Sequence, residues 1–254
     1  MNTNSNSYTF FYAAILVVLS AMALAWVSEA LKPIKQSNIA TEKRLNILHS
    51  ARLASDAAGV PNRVNYVADL FEKHITKSYV VDYKGEKVDG NAFEVEMKHQ
   101  YNVMKEMTTA PPDLREKLKT RLKLPIFECT LDNGTLLYIV QCYGPGLWGP
   151  IWGYISLYDD CNTIYGAVFD HKGETPGLGD EIATAKYAAQ FEGKKLFEND
   201  KFVSISVVKG GAKPEDMHAV DAVSGGTITS NALQAVLFSC LEVYVPFFKN
   251  QTKQ

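Results

Sequence analysis

The first 28 residues contain no aspartate, glutamate, lysine or arginine, and Tyr8 to Val27 is almost continuously apolar. As an α-helix this run is about 30 Å long at 1.5 Å per residue, which matches a hydrocarbon core of about 30 Å. Aromatic side chains, which favour the membrane–water interface, stand at both ends: Tyr8, Phe10, Phe11, Tyr12 and Trp26. The sequence therefore predicts one transmembrane helix ahead of an extramembrane domain.

A cleaved signal peptide is the competing interpretation of this segment. Such a peptide begins with a basic region and has a shorter apolar run than this chain has. Both differences favour an anchor that is retained. The basic residues that follow the run are Lys32, Lys35, Lys43 and Arg44. By the positive-inside rule alone, they would place the domain in the cytoplasm.

The composition predicts a folded domain and excludes some partners. The chain has 254 residues, 46% of them hydrophobic, which is enough for one substantial domain with its own core. Its net charge of −2 argues against a nucleic-acid partner, because neutralising phosphates needs a basic surface. Four cysteines lack C-x-x-C spacing, so neither a cysteine metal site nor a dithiol redox centre is expected: Cys129, Cys142, Cys161 and Cys240.

Strand patterns dominate the second half of the chain. Leu124–Leu131 and Thr135–Cys142 flank Asp132-Asn133-Gly134, which is typical of a β-hairpin. Ile151–Tyr158 and Thr163–Phe169 form a second pair. Further strands are expected at Val80–Tyr83 and Phe202–Val208. The fold class predicted is α+β, a twisted antiparallel sheet packed with helices.

Helices are predicted wherever apolar residues recur at spacings of three and four. The predicted helices are Ile39–Ala57, Asn62–His74, Asp180–Phe191 with Asp180 as its cap, and Ile228–Val245 ending near Pro246. Asn91–Met107 is expected to be irregular with some helix. We therefore divide the chain into an anchor, residues 1–32, a helical and irregular part, residues 33–120, and a ligand-binding domain, residues 121–254.

Three glycine-rich segments are the candidates for function. They are Gly144-Pro-Gly-Leu-Trp-Gly149, Glu174-Thr-Pro-Gly-Leu-Gly179 and Ser224-Gly-Gly-Thr-Ile-Thr-Ser230, the last of which follows Asp221-Ala-Val. Each alone is explained by turns between strands or by the start of a helix. Together, three loops of small residues can converge on one planar ligand. A helix that starts after Thr227 directs its free N–H groups at any phosphate attached there.

These segments, written G-L-W-G, E-T-P-G-L-G and D-A-V-S-G-G-T, resemble the FMN-binding domain in the C subunits of Na⁺-translocating NADH:quinone reductases. The G subunits of Rnf electron-transport complexes share this domain. The resemblance covers about residues 124–245 by motif and the whole chain by layout. The family motif for flavin attachment is Asp, two variable residues, Ser or Thr, Gly, Ala and Thr. Gly226 stands here where alanine is usual, a change that is sterically mild.

The resemblance implies that FMN is joined covalently to Thr227 through a phosphoester. It also implies a flavin transferase that installs FMN from FAD by recognising a short sequence: Asp221, Ser224, Gly225 and Gly226. Thr229 and Ser230 are expected to bind the remaining phosphate oxygens or to cap the last helix, and the two roles are compatible.

The isoalloxazine ring of FMN is implied to lie against the second segment. Gly177 and Leu178 would line it, Thr175 would offer a polar contact, and Trp148 would close the other side unless it packs in the core. A structural role is favoured for His171, which has no second ligand nearby in sequence. Two residues stay ambiguous, Tyr143 and Lys209, although a basic residue near a flavin would favour its anionic reduced form.

The function implied is that of an electron-transfer subunit of a Na⁺-translocating NADH:quinone oxidoreductase in the inner membrane. Its partners would be the other subunits, the flavin transferase and the membrane. We place the domain in the periplasm against the charge count, because the transferase is extracytoplasmic in most of these systems. The sodium path is expected in other subunits, since Tyr8–Val27 holds no acidic residue.

Two alternatives remain open. One is the G subunit of an Rnf complex, although its homologues tend to be shorter than a chain that includes residues 33–120. The other is an anchored binding or scaffold module without redox chemistry, which would use the glycine loops for a loosely held ligand or a partner.

Overall fold

The computed structural model describes residues 6–252, and it confirms an α+β fold with a long apolar helix near the N-terminus. Two compact units divide between Lys43 and Arg44. Helix α1, Asn6–Ser50, is continuous through Pro33, so the anchor and the separately predicted helix Ile39–Ala57 are one element. It ends at Ser50 because Arg52 and Ala54 take positive φ angles of 58° and 61°, which an α-helix cannot include.

Helix α1 is long and apolar enough to cross a membrane. Its most apolar 18-residue window has a mean hydropathy of 2.3, and none of that window is buried in the structure. Helix α6, Thr227–Gln251, passes the same length and composition test, but it buries ten of its side chains in the domain core. The N-terminal helix therefore fits a membrane anchor, whereas α6 is a core helix.

A six-stranded antiparallel sheet forms the centre of the second unit, in the order β2-β1-β3-β4-β5-β6. Its strands are β1 Ile75–Val81, β2 Lys87–Val88, β3 Leu124–Thr130, β4 Leu136–Pro145, β5 Pro150–Tyr158 and β6 Ile164–His171. Both predicted hairpins are present. Thr130 pairs with Leu136 across the first turn, where Gly134 has a φ of 82°, a conformation that favours glycine. Strand β1 begins five residues before the predicted Val80.

Helices cover both faces of this sheet. Besides the last turns of α1, residues 44–50, and α6 they are α2 Arg63–His74, α3 Met97–Thr109, α4 Pro112–Lys119 and the single turn α5 Ala185–Ala188. Successive strand residues point to opposite faces. Ile126 and Val140 therefore pack with α6 in one cluster, while Phe127 and Ile139 pack with Ile47 in another. Since both faces are covered, the central strands read as nearly continuous apolar runs.

The helix predicted over Asp180–Phe191 is wrong. The segment forms a 3₁₀ turn Gly179–Ala183, then α5, then a second 3₁₀ turn Ala189–Phe191. Asp180 does not cap a helix: its Oδ1 accepts from the N–H of Gly177, 2.7 Å away. Thr184 caps α5 instead, through an Oγ1 that accepts from the N–H of Tyr187 at 3.2 Å.

Three other element predictions also change. Phe202–Val208 is not one strand but two, β8 Lys201–Phe202 and β9 Ser206–Val208, separated at Ser204, where φ is 62°. The remaining short strands are β7 Phe197–Glu198 and β10 Ala219–Asp221. Most of the region expected to be irregular is helix α3. Helix α6 continues through Pro246, because Phe247 and Phe248 beyond it are buried in the main core.

Candidate functional site

The three glycine-rich segments form three loops at one end of the sheet. The first loop closes the hairpin between β4 and β5, where Pro145 pairs with Pro150. The second follows β6, whose last residue, His171, pairs with Ile151 at the start of β5. The third precedes α6 and touches the second, since a Cβ at Gly225 would lie 2.6 Å from the Cδ2 of Leu178. The predicted convergence of the loops is therefore present.

The second loop is a tight turn fixed by its own sequence. The N–H of Leu178 donates to the carbonyl of Thr175 at 3.1 Å, with Pro176 and Gly177 between them. Gly177 has a φ of 71°. Proline followed by a residue of positive φ is typical of a type II turn. The turn leaves Thr175, Gly177 and Leu178 exposed at the surface.

The third loop delivers Thr227 to the first position of α6. The N–H of Gly226 donates to the carbonyl of Val223 at 3.1 Å, and Gly225 between them has a φ of 72°. The first bond of the helix runs from the N–H of Ser230 to the carbonyl of Gly226, 2.8 Å. Within residues 6–252 the N–H groups of Thr227, Ile228 and Thr229 therefore lack a hydrogen-bond acceptor. Thr227 itself is exposed.

The hydroxyl groups of Thr229 and Ser230 hold the loops together. Thr229 Oγ1 donates to Glu174 Oε2 at 2.6 Å, and Ser230 Oγ accepts from the N–H of Val223 at 3.0 Å. Both side chains are buried. The structure thus gives each hydroxyl a protein partner, and the N–H groups of the first turn that lack an acceptor are the better candidates for binding a phosphate.

Glu174 lies at the centre of the loop cluster, although no role was predicted for it from the sequence. Its side chain is only 4% exposed. Oε1 accepts from the N–H groups of Leu147 at 2.8 Å and Trp148 at 3.1 Å, and Oε2 accepts from Thr229. One carboxylate thereby connects all three loops. The signal in the sequence was an acidic residue inside a short glycine-rich segment directly after a strand.

Two glycines are required by this carboxylate. A Cβ at Gly146 would lie 2.5 Å from Glu174 Oε1, and one at Gly179 would lie 2.7 Å from Oε2 and 2.5 Å from Thr229 Oγ1. Any side chain at these positions would collide with the network. The glycines of the first two loops therefore make room for Glu174 as well as for turns.

The pKa of the Glu174 carboxyl lies below its ordinary value. Burial by itself raises this pKa, but the hydrogen bonds from Thr229, Trp148 and Leu147 favour the ionised form and outweigh that effect, with a smaller contribution from His171. The side chain is therefore a carboxylate at neutral pH.

His171 and Asp221 both have structural partners. His171 Nδ1 accepts from the N–H of Glu174 at 3.1 Å, which holds the start of the second loop. Asp221 is exposed, and its Oδ1 accepts from the N–H of Ala212 at 2.7 Å. Lys209 lies just after β9, which pairs with β10. Tyr143 packs edge-on against Tyr101, with ring centroids 6.3 Å apart.

Apolar side chains are exposed on each of the three loops. Trp148 is 68% exposed, so it does not pack in the core, and Leu178 is 42% exposed. Two more exposed apolar side chains, which no motif in the sequence indicated, are Leu147 at 43% and Ile228 at 60%. Exposed apolar residues grouped beside a turn and a helix N-terminus are typical of a surface that binds a ligand or a partner.

A cleft of about 290 Å³ lies beside the second and third loops, lined in part by Gly177 and Ser224. Tyr187 also lines it. The Tyr187 hydroxyl is buried and has no hydrogen-bond partner in the part of the chain that the structure describes. Its pKa is raised, first by burial and then by Asp221. A neutral buried donor without an acceptor is consistent with a polar ligand at this end of the domain.

Comparison with known proteins matches this region to one family. The family model described as an FMN-binding domain matches residues 146–242, which include all three loops from Gly146 onward. The C subunit of the Na(+)-translocating NADH-quinone reductase of Vibrio anguillarum is 30% identical over 236 residues, covering 92% of this chain and 89% of the relative. That of Vibrio vulnificus is 31% identical, covering 87% and 86%.

Solved structures give the same match in three dimensions. The crystal structure of the C subunit of the Na(+)-translocating NADH-quinone reductase from Parabacteroides distasonis superposes with a TM-score of 0.68 at 36% identity, covering 86% of this chain and 96% of that one. The crystal structure of Shewanella oneidensis NqrC superposes with a TM-score of 0.65 at 31% identity, covering 85% and 98%. The similarity therefore extends well beyond the loops.

Proposed function

This chain belongs to the family formed by the C subunits of the Na⁺-translocating NADH-quinone reductases, and we propose that it carries FMN bonded covalently to Thr227. The coarser function follows from the family: it is an FMN-binding, electron-transfer subunit of that enzyme. The sequence relatives and the solved structure are all named as C subunits of the quinone reductase, and each match covers most of this chain. This favours the C-subunit family over the G subunit of an Rnf complex.

One observation carries the covalent attachment. Thr227 is exposed at the first position of α6, and three consecutive N–H groups beginning at its own have no acceptor within the described residues. Backbone N–H groups at a helix N-terminus favour an anionic phosphate, both by hydrogen bonding and through the helix dipole. A phosphoester on the Thr227 oxygen would lie next to these donors. The attachment residue and the N–H groups that would bind the phosphate therefore belong to the same turn of α6.

Exposed residues of the loops fit the flavin ring. We assign Leu178 and Gly177 to one side of the ring, Thr175 to a polar contact and Trp148 to the other side. Support comes from the exposure of Trp148 and Leu178, which a planar aromatic ligand would remove from water. Gly225 supports the placement of Leu178, because any side chain at position 225 would displace Leu178.

Bound FMN supplies one-electron and two-electron transfer, and the protein supplies its position and surroundings. The N–H groups of the α6 first turn hold the phosphate, and Glu174 holds the loops that carry Trp148 and Leu178. No side chain is assigned as a catalytic acid, base or nucleophile. A covalent link also prevents loss of FMN from a domain that faces an extracytoplasmic space.

A flavin transferase and the other subunits are the proposed partners. Asp221 and the exposed residues Ser224 and Gly225 lie outside the sheet core, where a modifying enzyme can reach them. Gly226 is buried, with its Cβ position 3.1 Å from Val223, so a small residue is needed there. We propose that the transferase recognises this segment and transfers FMN from FAD to Thr227.

Intact-protein mass spectrometry tests the proposed attachment. Protein produced together with the transferase should gain the mass of one FMN less one water, and protein produced without it should have the mass of the polypeptide alone. The bare mass in both preparations would contradict covalent FMN and would favour the anchored binding or scaffold module.

We also propose that the chain lies in the inner membrane with residues 44–254 on the periplasmic side. The apolar helix fits a single-pass anchor, and attachment by an extracytoplasmic transferase requires this side. External protease should therefore digest the domain in intact spheroplasts. A cytoplasmic protein, which must stay undigested while the membrane is intact, is the control. Protection of the domain until the membrane is lysed would show the opposite orientation, which Lys32, Lys35, Lys43 and Arg44 favour by charge.

A further inference from the structure

Glu174 is a buried charge beside the attachment residue. Its side chain is 4% exposed, and its Oε2 binds the hydroxyl of Thr229, two residues after Thr227. Within residues 6–252 no lysine or arginine forms an ion pair with it. Three hydrogen-bond donors stabilise the charge, and none of them is a cation.

From this geometry we propose that Glu174 is a positioning residue of the flavin site whose fixed negative charge also makes the bound flavin harder to reduce. The inference rests on the proposed attachment of FMN to Thr227. It has two parts, the position of the loops and the charge, and each part has its own measurement.

The positioning part follows from the contacts. Oε1 accepts hydrogen bonds from the N–H groups of Leu147 and Trp148, and these bonds fix the part of the first loop that carries the exposed Trp148. Oε2 accepts a hydrogen bond from the Thr229 hydroxyl, which fixes the first turn of α6. The N–H of Glu174 itself is held by His171 at the end of β6. The carboxylate therefore ties the loop that bears Trp148 to the turn that bears Thr227.

The electrostatic part follows from the state of the carboxyl group. All three contacts donate to it, so it acts only as an acceptor, which is the hydrogen-bonding pattern of the ionised form. Reduction of a flavin adds negative charge to the site unless protons follow. A buried carboxylate that has no lysine or arginine partner within residues 6–252 opposes that added charge, because charges interact more strongly in a low-dielectric interior than in water.

Glu174→Gln separates charge from position. Glutamine has nearly the same shape, and its carbonyl oxygen keeps the two N–H contacts of the first loop. Its amide then donates to Thr229, whose hydroxyl can accept instead of donate. Since the contacts survive and the charge does not, a change in the potential of FMN in this variant reports the charge and not the position of the loops.

The first measurement is the midpoint potential of the FMN in the full-length chain. Glu174→Gln should raise it, by about a tenfold change in the one-electron reduction equilibrium, which corresponds to 59 mV. The control is Glu128→Gln: Glu128 is also buried, but its carboxylate is ion-paired with Lys77, and its backbone lies opposite Tyr138 of β4 in the sheet. Tyr138 is seven residues from Pro145, about 23 Å along the strand at 3.3 Å per residue. An unchanged potential in loaded Glu174→Gln, or an equal shift in the control, would overturn the charge effect.

The second measurement needs no flavin. In the unloaded full-length chain, Glu174→Ala should speed hydrogen exchange at the N–H groups of Leu147 and Trp148 by at least about tenfold, since their acceptor is gone. Glu128→Gln should leave those amides unchanged. Unaltered exchange in Glu174→Ala would overturn the positioning role. Absence of FMN from the parent chain would instead disprove the proposed attachment, so the two failures are distinguishable.

Discussion

Thr227→Ala is expected to lose covalent FMN completely. The phosphoester requires a side-chain oxygen, which alanine lacks. Thr227 is exposed, so the change should cost little stability, within about 0.5 kcal/mol for a surface substitution. Ultraviolet light on a denaturing gel should show a fluorescent band for the parent chain and none for the variant, when both are produced with the transferase.

The control lies at the other end of the same helix. Thr252 is the exposed residue that follows α6, and its replacement by alanine should leave the fluorescent band unchanged. Thr227→Ser restores an oxygen at the attachment position and tests whether the hydroxyl alone suffices. If the alanine variant at position 227 fluoresced like the parent chain, the flavin would be attached elsewhere.

Gly85→Ala should produce the largest loss of stability among single glycine changes away from the site. Gly85 closes the turn between β1 and β2 with a φ of 77°. Its Cβ would lie 2.5 Å from both the Cα and the N of Phe247, so it would collide with the α6 backbone. We expect a loss of about 2–5 kcal/mol, of which about 1–2 is left-handed strain and about 1–3 is overpacking.

Gly134→Ala is the matched control for that change. Gly134 also lies in a hairpin turn and has a φ of 82°, but no atom lies within 4 Å of its Cβ position. It should lose only the conformational part, about 1–2 kcal/mol. Chemical denaturation of the two full-length variants in detergent gives both values. Equal losses would show that the contact with α6 is relaxed at little cost.

Local patterns predicted the two hairpins of the central sheet, β3–β4 and β5–β6, because hairpin signals are short-range. The hairpin at Asp132-Asn133-Gly134 needs only a residue of positive φ between two apolar runs, and it is present. The prediction of one helix over Asp180–Phe191 is wrong because the Asp180 side chain accepts from the N–H of Gly177 and Thr184 caps a new helical turn. The predicted end of the last helix near Pro246 is wrong because burial of Phe247 and Phe248 favours continuing the helix.

The candidate site divides in the same way. Thr227, the turn at Gly177 and the small residues around them were visible as motifs, because glycine and proline determine backbone shape locally. The burial of Thr229 and Ser230, and the exposure of Trp148, depend on which loops meet. No local pattern contains that information.

The sequence by itself determined an apolar helix long enough for a membrane, an antiparallel α+β domain and three loops of small residues with a threonine at a helix start. These follow from chain length, apolar periodicity and the allowed angles of glycine, all of which act within a few residues. Only the tertiary structure decided that Glu174 is the point where the loops meet. Its donors come from residues 26, 27 and 55 positions away in the chain, and only folding brings them to one carboxylate.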